Sequence, residues 1–384
     1  MTTAGGPTGR APSPEVSGVI RAVRVGLLLV LLYAFLVGVD LLGTGIAGLG
    51  EEFTDRLFRG VGNPLAGLAV GILATVLAQS SSVTTATIVG LVGAGVLSVH
   101  DAVPMIMGAN IGTTVTNTLA SVGSIRRPEE FRRAFAGATM HDFFNVASVV
   151  ILLPIEVVTG VLARLAVELS DLVGDASGGE FNSPVQEGVQ AGAGVVESAA
   201  AALVGPPRVA AALLLATGLG LLFGTLVAIT KNMRVVMAGP AERSLNAVLG
   251  RSGVLGILVG ALLTVSVQSS SISTSLLIPM IAAGVLRLEN AYPVTLGANL
   301  GTTITALLAA LAIPQIAGLQ IALVHLLFNL TGILIFYPIP LLRRLPLRAS
   351  RKMADLAVAR RTMVLVYVIL LFLVLPLGVI VIVR

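Results

Sequence analysis

The chain has 384 residues, 55% of them hydrophobic and only 11% charged, with a mean hydropathy of +0.98. Several apolar runs of about 20 residues are long enough to span a bilayer, so the composition excludes a soluble domain and describes a polytopic membrane protein. The net charge of +5 would point to nucleic acid in a soluble protein. Here it sits mostly in short loops that orient helices, and no nucleic-acid partner is implied. The absence of cysteine excludes disulfides and thiolate metal sites.

In chain order, residues 1–20 are rich in Gly, Pro, Thr and Ser and predict a disordered tail before one transmembrane domain over 21–384. Arg21 and Arg24 precede an apolar run from Val25 to Ala47 that carries Asp40 and reads as an uncleaved first helix. A charged loop (Glu51, Glu52, Asp55, Arg56, Arg59) leads to Gly67–Leu97, which is apolar except around Gln79–Thr87. An arm of that length reaches about 18 Å as a helix, against a hydrocarbon core of about 30 Å. Two arms that meet at a polar tip predict a re-entrant hairpin.

A helix from Pro104 to Val122 contains Gly108-Ala109-Asn110-Ile111-Gly112-Thr113-Thr114, a poor helical sequence expected to unwind locally. A basic loop (Arg126, Arg127, Arg132, Arg133) and a helix from Ala134 to Leu153 with His141, Asp142 and Asn145 complete the first half, about 25–155. Residues 156–208 read as one long acidic loop, part of which (Val157–Val173) has helical periodicity suited to the membrane surface.

The second half, about 209–342, repeats the plan. A span over Val209–Thr230, a basic loop (Lys231, Arg234, Arg243, Arg251), a hairpin over Gly253–Leu286 and a broken helix from Pro293 precede a helix with His325 and Asn329. A basic loop from Arg343 to Arg361 and a final helix over 363–383 close the chain. Aligned without gaps, residues 67–116 and 256–305 share 24 identities in 50 positions, concentrated in polar residues and glycines. Lys/Arg bias puts the basic loops in the cytoplasm and 156–208 outside. With hairpins that do not cross, each half has three crossings, so the halves insert upside-down relative to each other. The fold class is therefore an all-α polytopic membrane protein of two inverted-topology repeats, each with a re-entrant helical hairpin and a broken helix.

The chemistry centres on Gln79-Ser80-Ser81-Ser82 and Gln268-Ser269-Ser270-Ser271, two polar clusters at membrane depth in matching positions. The serines open the second arm of each hairpin, where free N–H groups and hydroxyls make an anion site for a small tetrahedral oxyanion; Asn110 and Asn299 are further candidates. No Arg or Lys lies in either motif, so a multiply charged anion needs mobile cations. Gln268, Ser269, Thr113, Thr114, Thr116, Thr302 and Thr305 offer the hard oxygens that Na+ prefers.

With Phe131-Arg132-Arg133-Ala134-Phe135-Ala136-Gly137-Ala138-Thr139 and His141-Asp142-Phe143-Phe144-Asn145, these motifs resemble the type II sodium–phosphate cotransporters over most of residues 25–380. The resemblance implies a multi-pass protein of the cell (inner) membrane that couples Na+ influx to uptake of inorganic phosphate. Phosphate would face Ser80, Ser81, Ser82, Ser269, Ser270 and Ser271. Gln268, Ser269, Thr302 and Thr305 would contribute to a Na+ site, with Gln79 and the first-repeat counterparts nearby. Other readings are a carrier of arsenate or sulfate, an anion channel, or a membrane enzyme with a motif serine as nucleophile. The last would need His141 or His325 as its base. No feature specifies an oligomeric state.

Overall fold

The computed structural model describes residues 18–50, 62–176, 184–248 and 252–383. The tail over 1–17, the charged residues 51–59 and Arg251 lie outside them. The described secondary structure is helical throughout. Among the described residues, six helices are long and apolar enough to cross a membrane: Val23–Gly48, Pro128–Thr159, Pro207–Asn232, Leu288–Ala310, Ile316–Phe336 and Thr362–Val383.

The duplication is visible residue for residue. The first hairpin consists of α2 (Pro64–Ala78) and α3 (Ser81–Gly93). The second has α10 (Gly253–Val267), then α11 (Ser270–Ser275) and α12 (Leu277–Ala282). Every outer boundary of the second hairpin lies 189 positions after that of the first. Arms of 15 and 13 residues reach about 20–22 Å. The second arm of the later hairpin is interrupted because Pro279 replaces Gly90; its ring meets the carbonyl four residues earlier.

Each hairpin lies on the helix that follows it. In the first half that helix is α4 (Val99–Gly112) with α5 (Val115–Ser121); in the second it is the unbroken α13 (Leu288–Ala310). Glycines permit the approach. A Cβ on Gly108 would fall against the carbonyl oxygen of Leu68, and one on Gly297 against that of Ile257, far inside van der Waals contact. These glycines therefore serve packing. The expected unwinding is confined to Thr113 and Thr114, which keep right-handed helical angles, and in the second half it does not occur. Pro104 and Pro293 also sit inside their helices instead of starting them.

The remaining helices are α1 (Gly18–Gly48), α6 (Pro128–Thr159), α7 (Val161–Ala176), α8 (Pro184–Leu203), α9 (Pro207–Val248), α14 (Ile316–Phe336), α15 (Pro340–Ala359), α16 (Thr362–Ile369) and α17 (Leu375–Val383), the last two joined through a π turn at Leu370–Val374. Three expected loops are thus largely helical. The acidic loop holds α7 and α8. Glu156 accepts from the N–H groups of Leu162 (2.6 Å) and Ala163 (3.1 Å) and so starts α7, which packs on α14. Helix α8 buries Val189, Ala193 and Ala200 and packs on α1. The basic segment after residue 231 continues α9 to Val248. The basic segment at 343–361 is α15, whose Leu347, Ser350, Ala354 and Ala357 are buried, its neighbour being α6. A charged helix with one apolar stripe is stable wherever that stripe finds a partner.

Helices α1 and α9 run antiparallel. Arg24 donates to Asn232 Oδ1 (2.9 Å) at one end, while Gly48 abuts Ala211 at the other. Gly297→Ala is expected to cost about 1–3 kcal/mol through overpacking and to lower the melting temperature of the purified protein. Gly224→Ala, whose Cβ would meet nothing within 4 Å, is expected to leave it unchanged.

Candidate functional site

Both hairpins reverse at their glutamine. Gln79 (φ 54°, ψ 24°) and Gln268 (φ 54°, ψ 31°) adopt the left-handed conformation and are the two non-glycine residues with positive φ among those described. That conformation costs roughly 1–2 kcal/mol for a residue with a Cβ. The side chain answers for its retention: Nε2 donates to the carbonyl three residues back, Val76 (2.6 Å) or Val265 (2.7 Å). This satisfies a carbonyl that the helix end would leave bare. It also fixes the amide so that Oε1 accepts from a threonine of the following helix, Thr116 (3.3 Å) for Gln79 and Thr305 (2.9 Å) for Gln268.

The next serine caps the second arm. Ser80 Oγ accepts from Val83 N–H (3.3 Å) and Ser269 Oγ from Ile272 N–H (3.4 Å). Ser81, Ser82 and Ser270 are buried, and Ser271 is half-buried. Ser271 Oγ donates to the Thr113 carbonyl (3.4 Å), placed at the α4–α5 junction. The structure thus joins Gln79 with Thr116, Gln268 with Thr305, and Ser271 with Thr113.

Other predicted residues are engaged locally. Thr113, Thr114, Thr302 and Thr303 donate to carbonyls three or four residues back in their own helices, which leaves their oxygen lone pairs free. Asn110 Nδ2 donates to Ile106 O (3.0 Å). Asn299 belongs to a relay across three helices. His141 Nε2 and Asn299 Oδ1 hydrogen-bond, Asn299 Nδ2 donates to Asn145 Oδ1 (2.6 Å), and Asn145 Nδ2 donates to Asn110 O (2.7 Å). Because Asn299 Oδ1 only accepts, Nε2 carries the imidazole proton. No hydrogen bond joins Asn110 or Asn299 to a motif serine among the described residues.

Two features escaped the sequence reading. Asn117 of α5 donates to Thr274 Oγ1 (2.7 Å) and accepts from Thr274 (3.0 Å) and Ser275 (3.0 Å), tying the second tip to the first half. Its repeat counterpart is Ala306, so the first tip has no such tie. Asp142 is fully buried and accepts from Tyr367 of α16 (2.7 Å) and Thr118 (3.5 Å), while its Oδ1 has no partner. A carboxylate at membrane depth signals function, but these partners lie 157 and 225 residues away in sequence and carry no local pattern.

Asn299→Ala leaves His141 Nε2 and Asn145 Oδ1 unpaired in a buried site and is expected to cost about 1–3 kcal/mol, read as a lower melting temperature. Ser271→Ala removes one long hydrogen bond and is expected to leave it near the parent value.

Residues 34–169 and 221–337 match the family described as Na+/Pi-cotransporter. The chain is 34% identical to sodium-dependent phosphate transport protein 2A of Ovis aries over 96% of its own length and 70% of that protein. It is 35% identical to the 2A protein of Mus musculus, over 95% of its length and 69% of that protein. Against sodium-dependent phosphate transport protein 2B of Homo sapiens it is 35% identical, over 93% and 64%. No solved structure matches it. With both halves of the repeat covered by the family match, and the motifs held at two like-built helix reversals, the chain belongs to the Na+/Pi-cotransporter family.

Proposed function

We propose that this protein is a multi-pass transporter of the plasma (inner) membrane that couples Na+ influx to uptake of inorganic phosphate by alternating access. The observation that carries the reading is the pair of left-handed glutamine turns. Each is strained, each presents a side-chain oxygen to a threonine, and each is followed by a capped helix rich in hydroxyls. Strain held in a structure clusters where it serves function. The relatives' names, which specify sodium-dependent phosphate transport, supply the substrate and the ion.

Phosphate lies between the tips, held by hydroxyls of Ser80, Ser81, Ser82, Ser269, Ser270 and Ser271 and by N–H groups at the start of the second arms. These donors suit an oxyanion, but none of them is a full positive charge. Na+ at Gln268 Oε1 with the hydroxyls of Ser269, Thr302 and Thr305, and at the matching oxygens of Gln79, Thr113, Thr114 and Thr116, supplies it. The unpartnered Asp142 Oδ1 offers a further oxygen ligand to a cation. Asn110 and Asn299 position the helices through the His141 relay.

An inverted relation of the halves is supported by the antiparallel α1 and α9, and by Gly332 packing on Ser148. These two residues are repeat counterparts, and counterparts that touch mark a local two-fold axis. The hairpins then enter from opposite sides, the second from the cytoplasm. Asn117 latches its tip to Thr274 and Ser275, while Gln79 at the first tip is exposed. This is a state closed to the cytoplasm.

The deciding experiment is 32P-phosphate uptake into proteoliposomes under an inward Na+ gradient, with K+ controls. Concentrative uptake that requires Na+ and falls at least about tenfold in Ser80→Ala and Ser269→Ala, as loss of charge-assisted hydrogen bonds predicts, is expected. Uptake without Na+ dependence would leave a channel or a differently driven carrier, and sulfate uptake in place of phosphate would correct the substrate. Gln268→Gly relieves the backbone strain yet removes the ligand oxygen. It is expected to keep thermal stability while raising the Na+ concentration for half-maximal uptake. Because the chain lacks cysteine, Ser275→Cys gives a single label site, and adding Asn117→Ala is expected to speed its modification from the cytoplasmic side.

A further inference from the structure

Where the base of the second hairpin meets α6 and α15, a cavity of about 310 Å³ is lined by Arg132, Arg133, Arg287 and Arg351, with Glu289 and Asp355. The arginines arrive from three separate segments, and four cations face two carboxylates. Two of the four are neutralised: Arg132 pairs with Glu129 (3.1 Å) and Asp355 (3.6 Å), and Arg351 pairs with Glu289. Arg133 and Arg287 form no ion pair with a described residue.

Arg133 is nonetheless held in place. Its Nε donates to the carbonyl of Ala282 at the end of the hairpin arm (2.8 Å), which orients the guanidinium and leaves its terminal N–H groups without a described partner. Gly284 packs beside this guanidinium in a left-handed turn (φ 75°), a conformation that favours glycine. Arg287 occupies the N-cap of the 23-residue α13 with no side-chain cap bond, so the positive end of that helix faces the same corner. The equivalent base of the first hairpin has the opposite character. There a cavity of about 580 Å³ is lined by Asp40, Glu197, Thr44, Gln190 and Gln315 and contains no arginine. A basic lining is therefore particular to the second hairpin, not a consequence of the hairpin form.

We propose that this cavity binds a phosphate-bearing anion at the cytoplasmic face, apart from the two tips; the cytoplasmic placement rests on the orientation given under Proposed function. Two guanidinium groups with free forks match the paired oxygens of a phosphate better than a single-point anion. The anion is either free inorganic phosphate or the headgroup of an anionic phospholipid. Bound there, it bridges Arg287 of the hairpin base and Arg133 of α6, and so resists movement of the second hairpin against α6. Phosphate accumulating in the cytoplasm would slow its own uptake by that route.

The test uses the full chain with Ser80→Ala and Ser269→Ala, which disable the tips, in phosphatidylcholine nanodiscs and sodium-free buffer. Saturable binding of 32P-phosphate is expected, weakened about tenfold or more by Arg133→Gln with Arg287→Gln and strengthened by Glu289→Gln. A parallel series adds phosphatidylglycerol. Phosphate binding that survives there assigns the site to free phosphate. Displacement of phosphate, with lipid retained in native mass spectra only when both arginines are present, assigns it to a headgroup. Absence of both arginine-dependent phosphate binding and arginine-dependent lipid retention overturns the proposal. Monodisperse elution of each variant controls for folding. Na+-driven uptake by the chain with intact tips is measured alongside, so failure of the transport reading shows there and not in the binding series.

Discussion

A helix that stops inside hydrocarbon exposes carbonyls at one end and N–H groups at the next, and each unsatisfied group costs several kcal/mol. In the proposed re-entrant arrangement the two hairpins, with arms of 15 and 13 residues in the first, would do this, and the arrangement of the proposed site follows from how the debt is met. The glutamine amide turns back onto a terminal carbonyl, and the first serine accepts from the N–H at the third position of the new helix. Bonds made within a single turn need no partner helix. The glutamine oxygens are taken up by Thr116 and Thr305 of the following helices, and Ser81, Ser82 and Ser270 are buried at the tips. Stability of the tip and placement of its polar groups thus come from the same four residues. The arms in turn can sit deep because glycine pairs let α2 lie against α4 and α10 against α13.

The copies are most informative where they differ. Glutamines, serines and threonines at the tips match, as does the closing geometry around them. Asn117, Asp142 and Pro279 face Ala306, Leu326 and Gly90 in the other copy. His141, Asn299 and Asn145 are linked by hydrogen bonds, whereas Asn329 Oδ1, the counterpart of Asn145 Oδ1, has no described partner; Nδ1 lacks one in both histidines. On the proposed reading, a duplicated set would hold a substrate from two sides. A transporter must also distinguish those sides, and the unmatched residues are the material for it: a latch at one tip, a carboxylate in one half, a break in one arm.

Much of this was legible in the sequence, because polar residues inside apolar runs and glycines at fixed spacing are strong local signals. The hairpins, their polar tips and the repeat follow from Gln79–Ser82, Gln268–Ser271 and the matched Gly-Ala-Asn stretches. Helix α15 was misread as a loop because its arginines dominate its composition, although Leu347, Ser350, Ala354 and Ala357 already stood at helical spacing. Helix α8 hid behind small residues, Ala193 and Ala200, whose burial against α1 depends on a neighbour more than 140 residues away. The expected break in α13 failed for a different reason: weak intrinsic helix propensity was overridden by packing, with Gly297 and Gly301 pressed on α10. The Asn117 and Tyr367 contacts join distant segments and leave no periodic trace.

The proposed coupling rests on what the tips lack. A phosphate held by arginine at membrane depth would bind without Na+ and release slowly, since a buried ion pair is costly to separate. In the proposed site, held by hydroxyls and N–H dipoles alone, the same dianion would be undercompensated in a low-dielectric environment, and its binding would depend on cations that arrive and leave with it. The affinity for phosphate is then linked to Na+ concentration, and by reciprocity the affinity for Na+ to phosphate. The arginines are present in this chain, but at the base of the second hairpin and along α15. There, on the proposal above, they would meet a phosphate-bearing anion outside the path between the tips.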